Sequence, residues 1–237
     1  MTQPAGITGA IRPAGRFAHI AFLYCTTLGT YLLSALCFAW YAQTDEIALL
    51  LLGWVAFGTA SDFLSHILGL HFGRHRRFLL WYARINFSAL CFGIPFTTMA
   101  GAFVIAAIDP GGISARIVPY HVEILIASLL FGALFMFARF RHIEIAGGVE
   151  LTLDKTDPYT SRIFAARRGF LGLSLLLGIT VMADGIGTPW AIWAALFGGS
   201  FIATVPLHIM HKHYASMFFE AFTLAVLGYG SWLVFVA

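Results

Sequence analysis

EIALLLLGWVAFGTASDFLSHILGL, Glu46–Leu70, is an unbroken apolar run whose interior carries a single formal charge, Asp62. A helix rises about 1.5 Å per residue, so roughly 20 such residues cross a hydrocarbon core about 30 Å thick. The run is continuous and lacks the period-two alternation of a barrel strand, so it reads as a transmembrane helix. Working outward, six more runs of this kind lie at His19–Ala42, Phe78–Ile108, Tyr120–Phe140, Gly169–Ala183, Trp190–Met210 and Ala215–Val236. The Gly169–Ala183 run is short, so its helix is expected to begin earlier, within Tyr159–Arg168, or to lie tilted.

The composition supports this reading across the whole chain. Its 237 residues are 59% hydrophobic and only 11% charged, against about a quarter charged in a soluble domain. The expected fold is all-α: one integral membrane domain, residues 1–237, forming a polytopic bundle of about seven transmembrane helices in a lipid bilayer. Residues 1–18 form a short segment without the apolar core of a signal peptide. Cys25, Cys37 and Cys91 fall inside apolar runs with no CxxC spacing, so they read as buried small residues and not as a disulfide framework.

The basic residues order the helices. Arg12, Arg16, Arg74, Arg76, Arg77, Arg139, Arg141, Lys155, Arg162, Arg167, Arg168 and Lys212 fall in alternate connections, whereas the opposite loops hold only Arg116. The positive-inside rule then predicts a cytoplasmic N-terminus and an outer C-terminus, with a bacterial inner membrane as the expected location. The net charge of +3 is accounted for by topology and anionic headgroups and calls for no nucleic acid. Within residues 141–168, the alternation His142–Asp154 around a Gly-Gly pair predicts a small cytoplasmic β-hairpin between the fourth and fifth helices. Trp40, Tyr41, Trp81, Tyr82, Tyr120, Trp190 and Tyr214 stand near run ends and suit either an interfacial aromatic belt or, for several of them, packing within the bundle.

Polar residues at membrane depth cost on the order of 3 kcal/mol and each needs a reason. In Glu46–Leu70, Gly58, Thr59, Asp62, His66 and Gly69 recur at helical spacing, a small polar face expected to look into the bundle. Asp62 and His66, four apart, can bond to each other or share a ligand; His71 and His75 follow among arginines. Arg84 lies about six residues into the next run. It either snorkels to the headgroups or turns inward toward Asn86 and Ser88, with Asp62 as its counter-ion. Gly93 and Pro95 should break or kink that helix. The sixth run ends on His208, His211 and His213, with Glu220 following in the seventh; clustered imidazoles at such spacing can converge on a metal. His121, Glu123, Asp109 and Asp184 stand at the opposite side, where aspartates beside glycine usually form turns.

There is no GxSxG, Walker A, Rossmann fingerprint, HExxH or CxxCH. The adjacent His-His pairs of membrane iron desaturases are also missing, and the seventh run lacks the HxxxH of seven-helix zinc hydrolases. Three function classes remain. The first is a metal-dependent membrane enzyme, an oxidoreductase or hydrolase acting on a lipid-soluble substrate. Its metal ligands would be His66, His208, His211, Asp62, His71 and His213, and its catalytic groups Asp62, Arg84 and Glu220, with iron, zinc or copper as the ion. The second is a proton- or ion-coupled transporter or channel using Asp62, His66 and Arg84 as a relay. The third is a non-catalytic or haem-carrying subunit of a membrane complex; a homo-oligomer is also open.

Overall fold

The computed structural model describes residues 13–72, 76–145, 148–209 and 213–237. In chain order the elements are α1 (Pro13–Thr44), α2 (Ile47–Phe72), α3 (Arg76–Ala89), α4 (Gly93–Ile108), α5 (Ile113–Ile117), a 3-10 turn (Val118–Tyr120), α6 (His121–Phe135), β1 (Phe140–Ile145), β2 (Gly148–Leu153), α7 (Pro158–Ile186), α8 (Ala191–Ile209) and α9 (His213–Phe235). Six stretches are long and apolar enough to cross a membrane: Ile20–Thr44, Ile47–Phe72, Arg77–Ile108, Ile113–Phe135, Pro158–Ile186 and Ala215–Phe235; Ala191–Thr204 is a shorter apolar helix. The chain is therefore a helical membrane bundle. Its outward faces carry bare apolar side chains such as Leu28, Leu130, Leu173 and Ile192, an arrangement that lipid accepts and water does not.

The helix ends follow local chemistry. Asp45 adopts a positive φ of 58° and its N–H bonds back to the Tyr41 carbonyl at 2.8 Å, closing α1 with a left-handed cap. The connection is so short that α2 must run back along α1. The Phe78–Ile108 run divides into α3 and α4, joined through Leu90–Phe92 by i to i−3 bonds such as Cys91 N–H to Ser88 O at 3.2 Å. Pro95 has no N–H to return to the Cys91 carbonyl, so the α-helical ladder cannot run through. Asp157 caps α7 by accepting the Thr160 N–H at 2.9 Å, and Pro158 takes the first helical position. The fifth apolar run thus begins earlier than its hydropathy alone marks.

α2 and α4 form the centre. Leu51, Leu52, Val55, Phe96, Met99, Ala100 and Val104 meet Phe197 of α8 and Leu224 and Leu227 of α9 in one core cluster. On α8 the rings of Trp193, Phe197 and Phe201 stack at 5.5 and 6.1 Å between centroids. The stack is admitted by glycine: a Cβ on Gly101 of α4 would stand 2.8 Å from Phe197, and one on Gly178 of α7 would stand 2.7 Å from Phe201. Small residues set the helix spacing because lipid offers no hydrophobic drive between helices. Cys37 and Cys91 are buried as expected, but Cys25 is exposed on α1, since its position on the helix falls on the outward face.

The hairpin is present. β1 and β2 pair antiparallel from Phe140–Leu153 to Ile145–Gly148, and residues 146–147 lie outside the described residues. The helix before it stops at Phe135, short of the predicted Phe140, because Phe140 is taken up by the strand. Leu153 packs into a buried cluster with Cys91, Phe135, Ala138 and Ile163. Arg139 N–H donates to Thr160 Oγ1 at 2.8 Å, and its side chain pairs with Asp154 at 3.7 Å. The hairpin is thereby tied to the start of α7 and to the α3–α4 break, and β2 also packs on α2.

Candidate functional site

The polar face of α2 looks into the bundle. Gly58, Thr59 and Gly69 are buried and Asp62 and His66 half-buried; the nearest group to Gly58 from outside its own helix is Ala89 of α3, 3.8 Å from where a Cβ would sit. Beside it, Asn86 of α3 is 3% exposed and donates its amide to Asp62 Oδ1 at 2.8 Å. Asn86 Oδ1 is itself buried without a partner. Turning the donor end of the amide toward the carboxylate is the arrangement that satisfies the charge.

One residue earlier the network continues into α1. Tyr82 OH donates to the Ser61 carbonyl at 2.6 Å, and Tyr31 OH lies 3.1 Å from Ser61 Oγ. Tyr82 is therefore not a member of the aromatic belt: its ring faces the bundle because its hydroxyl finds an acceptor there. Tyr31 sits unmarked within an apolar run, and its only sequence signal is that a phenol at this depth requires a hydrogen-bond partner.

The second carboxylate comes from α9. Met217 and Ala221 pack against Phe63, Ile67 and Leu64 of α2, so Glu220 stands on the helix that lines the same seam. Glu220 Oε1 accepts from Ser216 Oγ at 3.0 Å. One turn further along α9, Thr223 Oγ1 donates to Ser200 Oγ of α8 at 2.9 Å. Asp62 lies ten residues from Phe72, about 15 Å along the axis of α2.

The other predicted site residues are placed differently. Among the described residues no hydrogen bond or ion pair joins Asp62 to His66. Arg84 does not pair with Asp62: its guanidinium lies 5.3 Å from the centre of the Trp81 ring, while its Nε is buried without a partner. Asn86, two residues on, points the opposite way along α3 and takes the role that charge complementarity had assigned to Arg84. His71 Nε2 is 2.7 Å from Tyr24 OH on α1. His211 and His75 and the side chains of His208, His213 and His142 lie outside the described residues. Among the described residues α2 packs chiefly on α1, α3, α4, α9 and β2, and α8 chiefly on α7 and α9. Among the described residues no three His, Cys, Asp or Glu converge as a metal site.

On the other side of the bundle the aspartates shape the loop. Asp184 accepts the N–H groups of Ile113 and Ser114 at 3.1 and 2.7 Å, and Asp109 accepts that of Gly111 at 3.1 Å. His121 Nδ1 meets the Val118 carbonyl at 2.9 Å. These groups are occupied in holding α5 and its turns.

One strongly polar residue carried no prediction beyond topology. Arg167 of α7 reaches the α3–α4 break, donating to the Leu90 carbonyl at 3.3 Å with its guanidinium 5.5 Å from the centre of the Phe135 ring. Its place in a run of basic residues concealed it.

No protein-family profile matches the chain, and no curated protein matches it in sequence.

Proposed function

We propose that the protein is a proton-coupled membrane carrier in which Asp62 and Glu220 form the site that binds and releases the coupling proton. The reading is carried by one observation: two helices that each bear a carboxylate, α2 with Asp62 and α9 with Glu220, pack together along an otherwise apolar seam, and Asp62 is held by a buried amide. Isolated carboxylates at membrane depth are costly, and paired ones mark proton and ion pathways. Tyr31, Tyr82 and Ser61 extend the site toward α1 with hydroxyls that can pass a proton, and the break between α3 and α4 supplies a movable joint beside it. In this reading the N-terminus and the hairpin face the cytoplasm, the C-terminus lies outside, and the site is nearer the cytoplasmic face. The membrane is a bacterial inner membrane.

The test is pH-gradient-driven proton flux into liposomes containing the purified protein, followed by an entrapped pH dye. Wild type should conduct, and Asp62→Asn and Glu220→Gln should not. Equal flux in Asp62→Asn and wild type would end this reading.

A metal-dependent enzyme acting on a lipid-soluble substrate is the second reading. It is favoured by the placing of Asp62 and His66 one turn apart on α2, beside Glu220 of α9. His208 and His211 near the end of α8 would complete the set, with zinc, iron or copper as the ion. Near-stoichiometric metal in protein purified without chelator, lost in His66→Ala, would establish it over the carrier.

A further inference from the structure

Where the hairpin meets α7, two cations share one ring. Lys155 Nζ lies 4.6 Å and the Arg168 guanidinium 4.3 Å from the centre of Phe164. Both charged residues are exposed, whereas Phe164 is half-buried and packs on the cluster of Leu153 and Ile163. The nearby carboxylates are engaged elsewhere: Asp154 accepts from Thr156 and pairs with Arg139, and Asp157 accepts from Thr160. Among the described residues no carboxylate pairs with Lys155 or Arg168. Two like charges, each within 4.6 Å of one ring centre, repel each other, and an anion within reach of both relieves that repulsion.

The depth of the cluster selects the anion. α7 has 29 residues, about 43 Å of helix against a hydrocarbon core of about 30 Å, so roughly nine residues project beyond the core. The basic end, with Arg162, Arg167 and Arg168, is the end that projects, which puts Phe164 among the projecting residues and Arg168 two residues inside the boundary, within snorkelling reach of the headgroups. Phe137, 76% exposed just beyond the end of α6, adds apolar surface at the same end of the bundle. A guanidinium offers a planar fork to phosphate oxygens, an ammonium adds a point charge, and the ring carries both stems at the acyl boundary.

We propose that Lys155, Phe164 and Arg168 form a binding site for the phosphate of an anionic phospholipid headgroup. The site is independent of the carboxylate pair and of whatever passes through it.

The full-length protein in phosphatidylcholine nanodiscs with phosphatidylglycerol as a minor component, released into native mass spectrometry, reports which lipid stays bound. Wild type should retain phosphatidylglycerol, and the Lys155→Gln/Arg168→Gln double variant should retain about tenfold less. Arg141→Gln/Arg162→Gln removes the same charge from positions off the ring and should retain as much as wild type. Phe164→Leu keeps an apolar group in the cluster, removes the ring, and should show an intermediate loss. Equal losses in the two double variants would reduce the effect to diffuse surface charge. Displacement of the lipid from wild type by inorganic phosphate would show that the site takes free phosphate. Either result overturns the assignment.

Discussion

Asn86 on α3 donates its buried amide to the Asp62 carboxylate on α2 at 2.8 Å, across the seam that Glu220 closes from α9. Side-chain hydrogen bonds between membrane helices contribute about 1 kcal/mol on average. Asn86→Ala should therefore lower stability by about that amount in a detergent unfolding titration. Asp62→Asn keeps the shape and a hydrogen bond, so it should leave stability near wild type while abolishing proton flux. Loss of folding in Asp62→Asn would show that the carboxylate serves structure instead.

In the proposed reading Asp62 and Glu220 serve one proton site, so their effects should not add. Asp62→Asn and Glu220→Gln are each expected to stop flux, and the stability of the double variant should depart from the sum of the two single changes. A strictly additive stability cycle would mean that the two carboxylates do not sense one another.

Glycines on α7 separate into two kinds. A Cβ on Gly185 would stand 2.6 Å from Ile105 Cδ1 and 2.7 Å from the Cβ of Ala194, which cannot move without its backbone, whereas Gly172 has nothing within 4 Å. Gly185→Ala should destabilise by about 1–3 kcal/mol through overpacking. Gly172→Ala should stabilise by up to about 1 kcal/mol through helix propensity. Thermal unfolding of the two variants side by side measures the difference, and equal midpoints would contradict the packing.

Arg167 holds the Leu90 carbonyl at the α3–α4 break. Arg167→Met keeps the apolar stem against Phe135 and removes the donor, so it should cost about 1–3 kcal/mol. Hydrogen exchange should speed up locally at the break, at the amides of Leu90–Gly93. Acceleration spread evenly over the bundle would mean that the residue matters only for general packing.

Acid should loosen the hairpin junction before the bundle. The hydroxyl and N–H of Thr156 hold the Asp154 carboxyl below its usual range, and the N–H and hydroxyl of Thr160 do the same for Asp157. A native pKa depressed below the unfolded one adds stability that is present above the unfolded value, about 3.9 for Asp, and is lost as pH falls through the native value. Cleavage of the hairpin by an acid protease should therefore be slow above the ordinary Asp range and rise below it. Asp157→Asn, which keeps an acceptor but cannot protonate, should blunt that rise.

The apolar runs, the hairpin and the inward face of α2 were legible in the sequence, because each is decided by local terms. Segment hydropathy reports the cost of leaving a stretch in lipid, alternation reports a strand, and the spacing of Gly58, Thr59, Asp62 and His66 reports one helical face. The choice of partners was not legible. That α9 packs along the α2 seam, that Asn86 and not Arg84 meets Asp62, and that Tyr82 turns inward depend on how rings and glycines of different helices fit together, as Phe197 does over Gly101. All the helices are similarly apolar, so hydropathy assigns no neighbour to any of them; close packing and a few interhelical hydrogen bonds decide, and both exist only in three dimensions.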